Sequence, residues 1–305
     1  MRIAFFQDLN PMDHQGGAEQ NDREMIRKGF ERHHNIQIIT PQNYNLISIE
    51  DSQLVIFSNC INFPKEIIKE VCSKFPYIFF HHDYIFFKWR LFYHAKEGDY
   101  SGCDRDFWLH IFKNAKLNIW LSSLHREAYL VSFPELKECK YTLIPSAIDV
   151  NIWKPVEGIE RKKGTILGIN VLELFKGRYI INKYVEEHPE LQFTFVGNAS
   201  HLEKPNCTYI PYVKNKDLPK LYSQHEFMIH LPSNTEPFCR TVCEAILCGC
   251  KIITNANTGA FSYDWMKKGD VKEIREKLKF SSLIFWEEIE DVMDWKNRVP
   301  SGDDD

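Results

Sequence analysis

The stretch Leu231-Pro-Ser-Asn-Thr-Glu236-Pro-Phe-Cys-Arg-Thr-Val-Cys-Glu244-Ala-Ile-Leu-Cys-Gly249-Cys250 lies between two short apolar runs, Phe227-Met-Ile-His230 and Lys251-Ile-Ile-Thr254. The order implied is a buried strand, a polar loop holding Pro232, a helix from about 237 to 248, and a second strand. Proline at the first helical position gives up only an N–H that would stay unpaired. Gly249 stands where a helix closes with a left-handed residue. The start of such a helix offers unpaired N–H groups and a partial positive charge, which suits a phosphate. Glu236 satisfies the same dipole. Glu244 is placed among Val242, Ala245, Ile246 and Leu247 on a face that must be mostly buried. A buried carboxylate needs polar partners, so Glu244 hydrogen-bonds either the protein or a ligand.

Outward from this unit, the chain alternates strands with helices. Upstream, strands read at 3–6, 36–40, 54–58, 77–80, 117–121 and 141–144. Helices follow Gly16-Gly17 and read near 64–75, 103–114 and 124–132, the last capped by Ser122 or Ser123. In the second half, 165–169 is a strand, Phe175-Lys176-Gly177-Arg178 opens a helix to about 188, and Leu191–Val196 runs into Gly197-Asn198. A short helix starts at Asp217, and residues 286–295 form an amphipathic helix before a disordered acidic tail. This alternation implies parallel, doubly wound sheets, whose ligands sit at the carboxyl ends of strands. His81-His82-Asp83 is one such strand end. Adjacent histidines there point opposite ways, so the two do not share one metal.

Glu, seven residues, Glu, then Ala and Cys-Gly resembles the signature of the retaining GT-B glycosyltransferases of family four (glycosyl transferase group 1). Other stretches resemble the same family in the same order, together covering roughly residues 1–262. The resemblance implies an α/β GT-B fold, two Rossmann-like parallel-sheet domains facing a central cleft. Residues 1–155 would be the acceptor-side domain and 156–285 the nucleotide-sugar-binding domain, with 286–305 a terminal helix and tail. The activity implied is transfer of a sugar from a nucleoside-diphosphate sugar donor to an acceptor, with retention of configuration.

The same resemblance assigns roles residue by residue. Gly16 and Gly17, in Gly-Gly-Ala-Glu form, match the loop that contacts the donor diphosphate, although a plain tight turn reads equally well. His82, or His81, matches a histidine that touches the donor sugar, and a structural histidine is the alternative. Lys176 matches the phosphate-binding lysine, against the reading of an exposed first-turn lysine. Glu236 would contact the sugar and Glu244 the ribose hydroxyls. Phe238, Cys239 and Arg240 form the helix start that would hold the diphosphate. Tyr212 lies in the segment whose backbone faces the nucleobase, and the loop Asn255-Ala-Asn-Thr-Gly259 matches one near the phosphates. The sequence departs from the family in one place. An arginine usually found a few residues before the lysine is absent from 170–175, which leaves Arg178 or Arg240 to supply a second cation.

At 305 residues, with 44% apolar and 14% aromatic content and a net charge of −4, the chain has material for two ordinary domains. Its negative charge argues against nucleic acid as partner, and so against a DNA-base glucosyltransferase. A nucleotide- or sugar-binding protein without turnover is the other alternative. No metal is expected, since no acidic pair of ligand type stands at a strand end and protein groups can stabilise the developing charge. Cys239, Cys243, Cys248 and Cys250 read as core packing, because Cys-x-Cys across a helix end is poor zinc geometry. Nine cysteines without a secreted spacing pattern, a start too weakly apolar for a signal peptide and no long apolar run point to the cytoplasm. The aromatic, basic segment 86–96 reads as a helix packing inward, as an acceptor pocket lining, or as a peripheral membrane contact.

Overall fold

The computed structural model describes residues 1–87, 104–197 and 204–295. The described residues form two parallel sheets. The first has the order β2-β1-β3-β4-β5-β6, from β1 (Arg2–Phe6), β2 (Asn35–Ile39), β3 (Leu54–Phe57), β4 (Tyr77–Phe80), β5 (Asn118–Trp120) and β6 (Tyr141–Leu143). The second has the order β11-β10-β7-β8-β9, from β7 (Lys162–Ile169), β8 (Gln192–Val196), β9 (Cys207–Ile210), β10 (His225–His230) and β11 (Lys251–Thr254). Strands buried on both faces need no polar alternation. Accordingly Leu54-Val-Ile-Phe57 and Tyr77-Ile-Phe-Phe80 are buried at every position. This is the GT-B arrangement that the sequence leads one to expect.

Helices α1 (Gly17–Glu31), α2 (Lys65–Lys74), α3 (Arg105–Asn114) and α4 (Ser123–Ser132) serve the first sheet. The second carries α5 (Arg178–Glu187), α6 (Leu218–Gln224), α7 (Arg240–Leu247) and α8 (Asp264–Lys268). The last helix, α9 (Val271–Val292), is capped by the Asp270 side chain. Expected as a short element at 286–295, it instead runs for 22 residues, so a division at 285/286 falls inside it. The reason is a continuous buried stripe, Ile274, Leu278, Phe285, Trp286 and Ile289, with the small Ser281 and Ser282 filling the same face.

This helix ties the two halves together. Arg275 donates to the carbonyls of Val150 and Leu247, while Trp286 Nε1 donates to Met25 O at 2.7 Å. Glu290 accepts from Arg32 Nε at 2.8 Å and meets His34 Nε2 at 3.0 Å. Gly29 on α1 permits this approach, because a Cβ there would overlap Ile36 and the Trp286 ring.

Helix α7 also differs from expectation. It begins at Arg240 rather than at Pro237, because residues 236–238 are held in an extended link to the chain after β11. Glu236 N donates to Asn257 O at 2.8 Å, and Gly259 N returns to Glu236 O at 3.0 Å. Ala260 N bonds Phe238 O at 2.8 Å. Gly249 does close the helix in a left-handed conformation, φ 90°. No described helix is long and apolar enough to cross a membrane. Phe86 and Phe87 are buried; the remainder of the 86–96 segment, Cys103, Asn198 and the acidic tail lie outside the described residues.

Candidate active site

The carboxyl ends of both sheets open on a cleft of about 420 Å³. On the first wall, Gly17 lines the cleft opposite Arg240. Gly16 lies beneath the Glu19 carboxylate, which a Cβ at Gly16 would displace. The end of β4 separates the two histidines. His81 turns into the core, where its ring stacks on Trp120 and bonds the Tyr129 hydroxyl and Asn118 Oδ1, each at 3.0 Å. Burial pushes its pKa down to about 3, so it is a neutral structural residue. His82 faces the cleft, and Asp22 on α1 orients it through a 2.8 Å contact to Nε2. Asp22 in turn accepts from the Ser58 hydroxyl at 2.7 Å. The expectation that one of the pair meets the cleft therefore resolves to His82, with Asp22 as an unforeseen support.

The second wall is built around Glu236. Lys176 sits in the turn before α5, and the next residue, Gly177, has φ 95°. A Cβ at Gly177 would overlap the carbonyl oxygen of Leu231. The Lys-Gly pair thus seats the lysine turn directly on the loop that carries Glu236. Lys176 Nζ contacts Glu236 Oε1, and His230 Nε2 contacts Oε2. Burial opposes the charge on Glu236, but His230 and Lys176 outweigh it and hold the carboxyl well below the usual range. Burial likewise opposes the Lys176 charge, and Glu236 overrides it, so its pKa is raised. Lys176 is therefore a partner of Glu236 rather than an exposed first-turn lysine.

Cys239 follows in a left-handed conformation, φ 81°, with its thiol 3.2 Å from the Thr241 hydroxyl. Phe238 borders the cleft, but it is buried, with its ring 6.3 Å from that of Tyr263. Arg240, the first residue of α7, donates through Nη1 to the carbonyl of Ala147 in the first half. Its buried Nε has no hydrogen-bond partner; Glu244 Oε1 lies 3.7 Å away, an ion-pair distance but too long for a hydrogen bond. Glu244 is buried and does not line the cleft. Burial pushes its pKa up to about 7 despite Arg240.

The structure thus brings Gly17, His82, Lys176, Glu236, Phe238, Cys239 and Arg240 to one cleft, with Glu244 one turn behind Arg240. It does not bring Tyr212, whose side chain is exposed away from the cleft. Arg178 does not line the cleft either. Arg240 also borders a neighbouring cavity of about 430 Å³ that includes Trp153, Asn215 and Pro219. His230 is the residue that sequence reasoning passed over. Its signal was available, since it ends a strand of a parallel sheet on the side where ligands bind. His230, Glu236 and Cys239 place metal-ligand-type atoms within 4.8 Å of one another. Both carboxylate oxygens of Glu236 are already matched by the protein's own cations, so the arrangement reads as an ion-pair cluster.

Comparison with known proteins bears on this geometry. Residues 150–263 match the family model described as Glycosyl transferases group 1. Spore coat protein SA of Bacillus subtilis (strain 168) is 29% identical over 123 residues, which are 33% of this chain and 32% of that protein. The chain therefore matches about a third of that curated relative's length. Sucrose-phosphate synthase from Thermosynechococcus elongatus superposes with a TM-score of 0.67 at 14% identity, covering 97% of this chain and 98% of that one. HepE of Anabaena, solved in complex with UDP and glucose, gives 0.58 at 14% identity and 98% of both chains. An alpha-glucosyltransferase in complex with UDP and a 13-mer DNA gives 0.59 at 14% identity, with 96% and 99% covered. At these identities the structural likeness establishes the fold.

Proposed function

We propose that the chain is a retaining, metal-independent glycosyltransferase that moves a sugar from a nucleoside-diphosphate sugar to an acceptor. The observation that carries this reading is the Lys176–Glu236–His230 cluster, seated at the carboxyl ends of the second sheet and facing His82 and Gly17 across the cleft. A group 1 match over residues 150–263 and GT-B neighbours solved with UDP support it. The donor diphosphate would lie between Gly17 and the turn at Cys239–Arg240, where backbone N–H groups and the α7 dipole face it. Lys176 would take up the charge that collects on the departing diphosphate as the glycosidic bond breaks. Glu236, kept anionic by its two cations, would accept hydrogen bonds from sugar hydroxyls, and His82, held by Asp22, would donate or accept on the opposite side. Glu244 would receive the ribose hydroxyls once the nucleoside displaces Arg240 from its loose contact.

Lys176, His230 and Arg240 supply positive charge without a metal ion, so full turnover is expected in excess EDTA. A strict Mg²⁺ or Mn²⁺ requirement after stripping would refute that part. The cytoplasm is our reading of the compartment, supported by the described cysteines, which are all unpaired. The decisive experiment incubates the protein with UDP-sugars and other nucleotide sugars and follows release of nucleoside diphosphate, with NMR of the product anomer. Turnover with inversion would overturn retention. Thermal stabilisation by nucleoside diphosphates without turnover on any donor would instead favour a binding protein; a ligand at a hundred times its Kd adds about 2.7 kcal/mol.

A further inference from the structure

We infer that His230 is the second cation of this donor site, and that it acts through Glu236. By pairing with one carboxylate oxygen it leaves Lys176 free to bind the diphosphate of the donor. The inference rests on the reading of the cleft as a nucleoside-diphosphate site, and it concerns how that site keeps its positive charge while Lys176 is paired with a carboxylate.

The charges facing one another decide it. Lys176 contacts Glu236 Oε1. With those two groups alone the cleft wall is neutral, and a diphosphate would have to pull Lys176 away from a carboxylate only 15% exposed. That would strand a buried anion, an arrangement that proteins avoid because desolvation is then uncompensated. His230, with a side chain only 2% exposed, contacts the other oxygen. A protonated His230 makes the cluster net positive, and it leaves Glu236 a partner when Lys176 turns to the phosphate. Burial opposes that proton, and the Glu236 carboxylate against Nε2 favours it, so the pKa is raised.

Among the described residues, the other basic side chains lining the cleft, Arg240 and His82, contact neither oxygen of Glu236. Arg240 spends Nη1 on the Ala147 carbonyl and faces Glu244. His82 is held by Asp22, and Arg178 does not line the cleft. His230 is thus a positioning residue: it need not touch the donor to set the affinity of Lys176 for it.

Calorimetry with UDP and with inorganic pyrophosphate tests this on wild type, H230Q, E236Q and the H230Q/E236Q double variant. Glutamine keeps a donor toward Glu236 but removes the charge. H230Q should bind both probes about tenfold to a hundredfold more weakly, the range of one charged hydrogen bond. The double variant should recover to near wild-type affinity, because without the Glu236 charge Lys176 is free again. A merely structural histidine would not be rescued in this way. Unchanged affinity in H230Q, or a double variant as weak as H230Q, overturns the proposal. Should H230Q lose its cooperative melting, E236Q alone decides: pyrophosphate affinity near that of wild type supports the inference. Much tighter binding, which would mean that Glu236 still withholds Lys176 in wild type, refutes it, as does weaker binding. If wild type binds neither probe, the donor-site reading itself fails, and the inference falls with it.

Discussion

Two of the places where the halves of the molecule meet are built on different plans. Behind the cleft, α9 crosses onto α1, and there Trp286 Nε1 pairs with Met25 O, and Glu290 with Arg32 and His34. At the cleft, capacity is left unspent. Arg240 Nε is buried without a hydrogen-bond partner, and Glu244, behind the cleft wall, faces Arg240 only at 3.7 Å. A buried polar group with no partner costs free energy. The seam therefore reads as structure, and the cleft as a surface whose partners arrive with a ligand.

The largest effect expected from this contrast lies at the seam. Trp286→Ala should destabilise the protein by about 3–5 kcal/mol, read as a lowered melting temperature. If melting barely moved, the seam would not be what joins the halves. The next effect lies in the cleft and should have the opposite profile. Glu236→Gln should lower kcat by roughly a hundredfold without a comparable loss of stability. Measured together, the two variants separate a group that holds the fold from one that acts on substrate. A Glu236 variant that melted as early as the tryptophan variant would erase the distinction.

A third effect is smaller. Glu244→Gln should weaken nucleoside diphosphate and donor alike by about tenfold, raising KM with kcat little changed, because a ribose contact is the same in ground and transition states. Calorimetry with the diphosphate, which lacks the sugar, is the readout. Loss of that affinity in Glu236→Gln with retention in Glu244→Gln would reverse the two roles.

How much of this was legible in the chain depends on the range of the forces involved. Strands such as Leu54–Phe57 were readable because burial on both faces leaves a wholly apolar run. Lys176 was picked out by family resemblance alone, and the left-handed Gly177 that seats it on the Glu236 loop shows only in the fold. The true start of α7 was not readable, since it is delayed by hydrogen bonds from residues 236–238 to a loop some twenty residues away. Asp22 and His230 escaped for the same reason. Each matters through a partner that only tertiary packing supplies: His82 sixty residues on in one case, and Glu236 across a loop in the other.

The sharpest test of the contrast is in the pH dependence of stability. At Glu290 burial opposes the charge, but Arg32 and His34 outweigh it and lower the pKa. The stability it contributes is present above the unfolded carboxyl pKa and is lost as pH falls through the folded value. At Glu244 burial dominates and raises the pKa to about 7. Its favourable contribution is complete below the unfolded pKa, near 4.5, and declines as pH rises toward 7. One carboxylate thus penalises acid and the other penalises neutrality, each with a slope of at most about 1.4 kcal/mol per pH unit. Denaturant unfolding across pH 3 to 8 should show both limbs. Glu290→Gln should flatten the acid limb alone. Glu244→Gln should flatten only the limb between about pH 4.5 and 7, leaving the variant more stable than wild type at pH 8 while it binds nucleotide less well. That pairing of gained stability with lost affinity is what a site group strained by burial should show. A Glu244→Gln variant that lost stability at pH 8 would mean its charge is satisfied in the fold, and the cleft would then be built on the same plan as the seam.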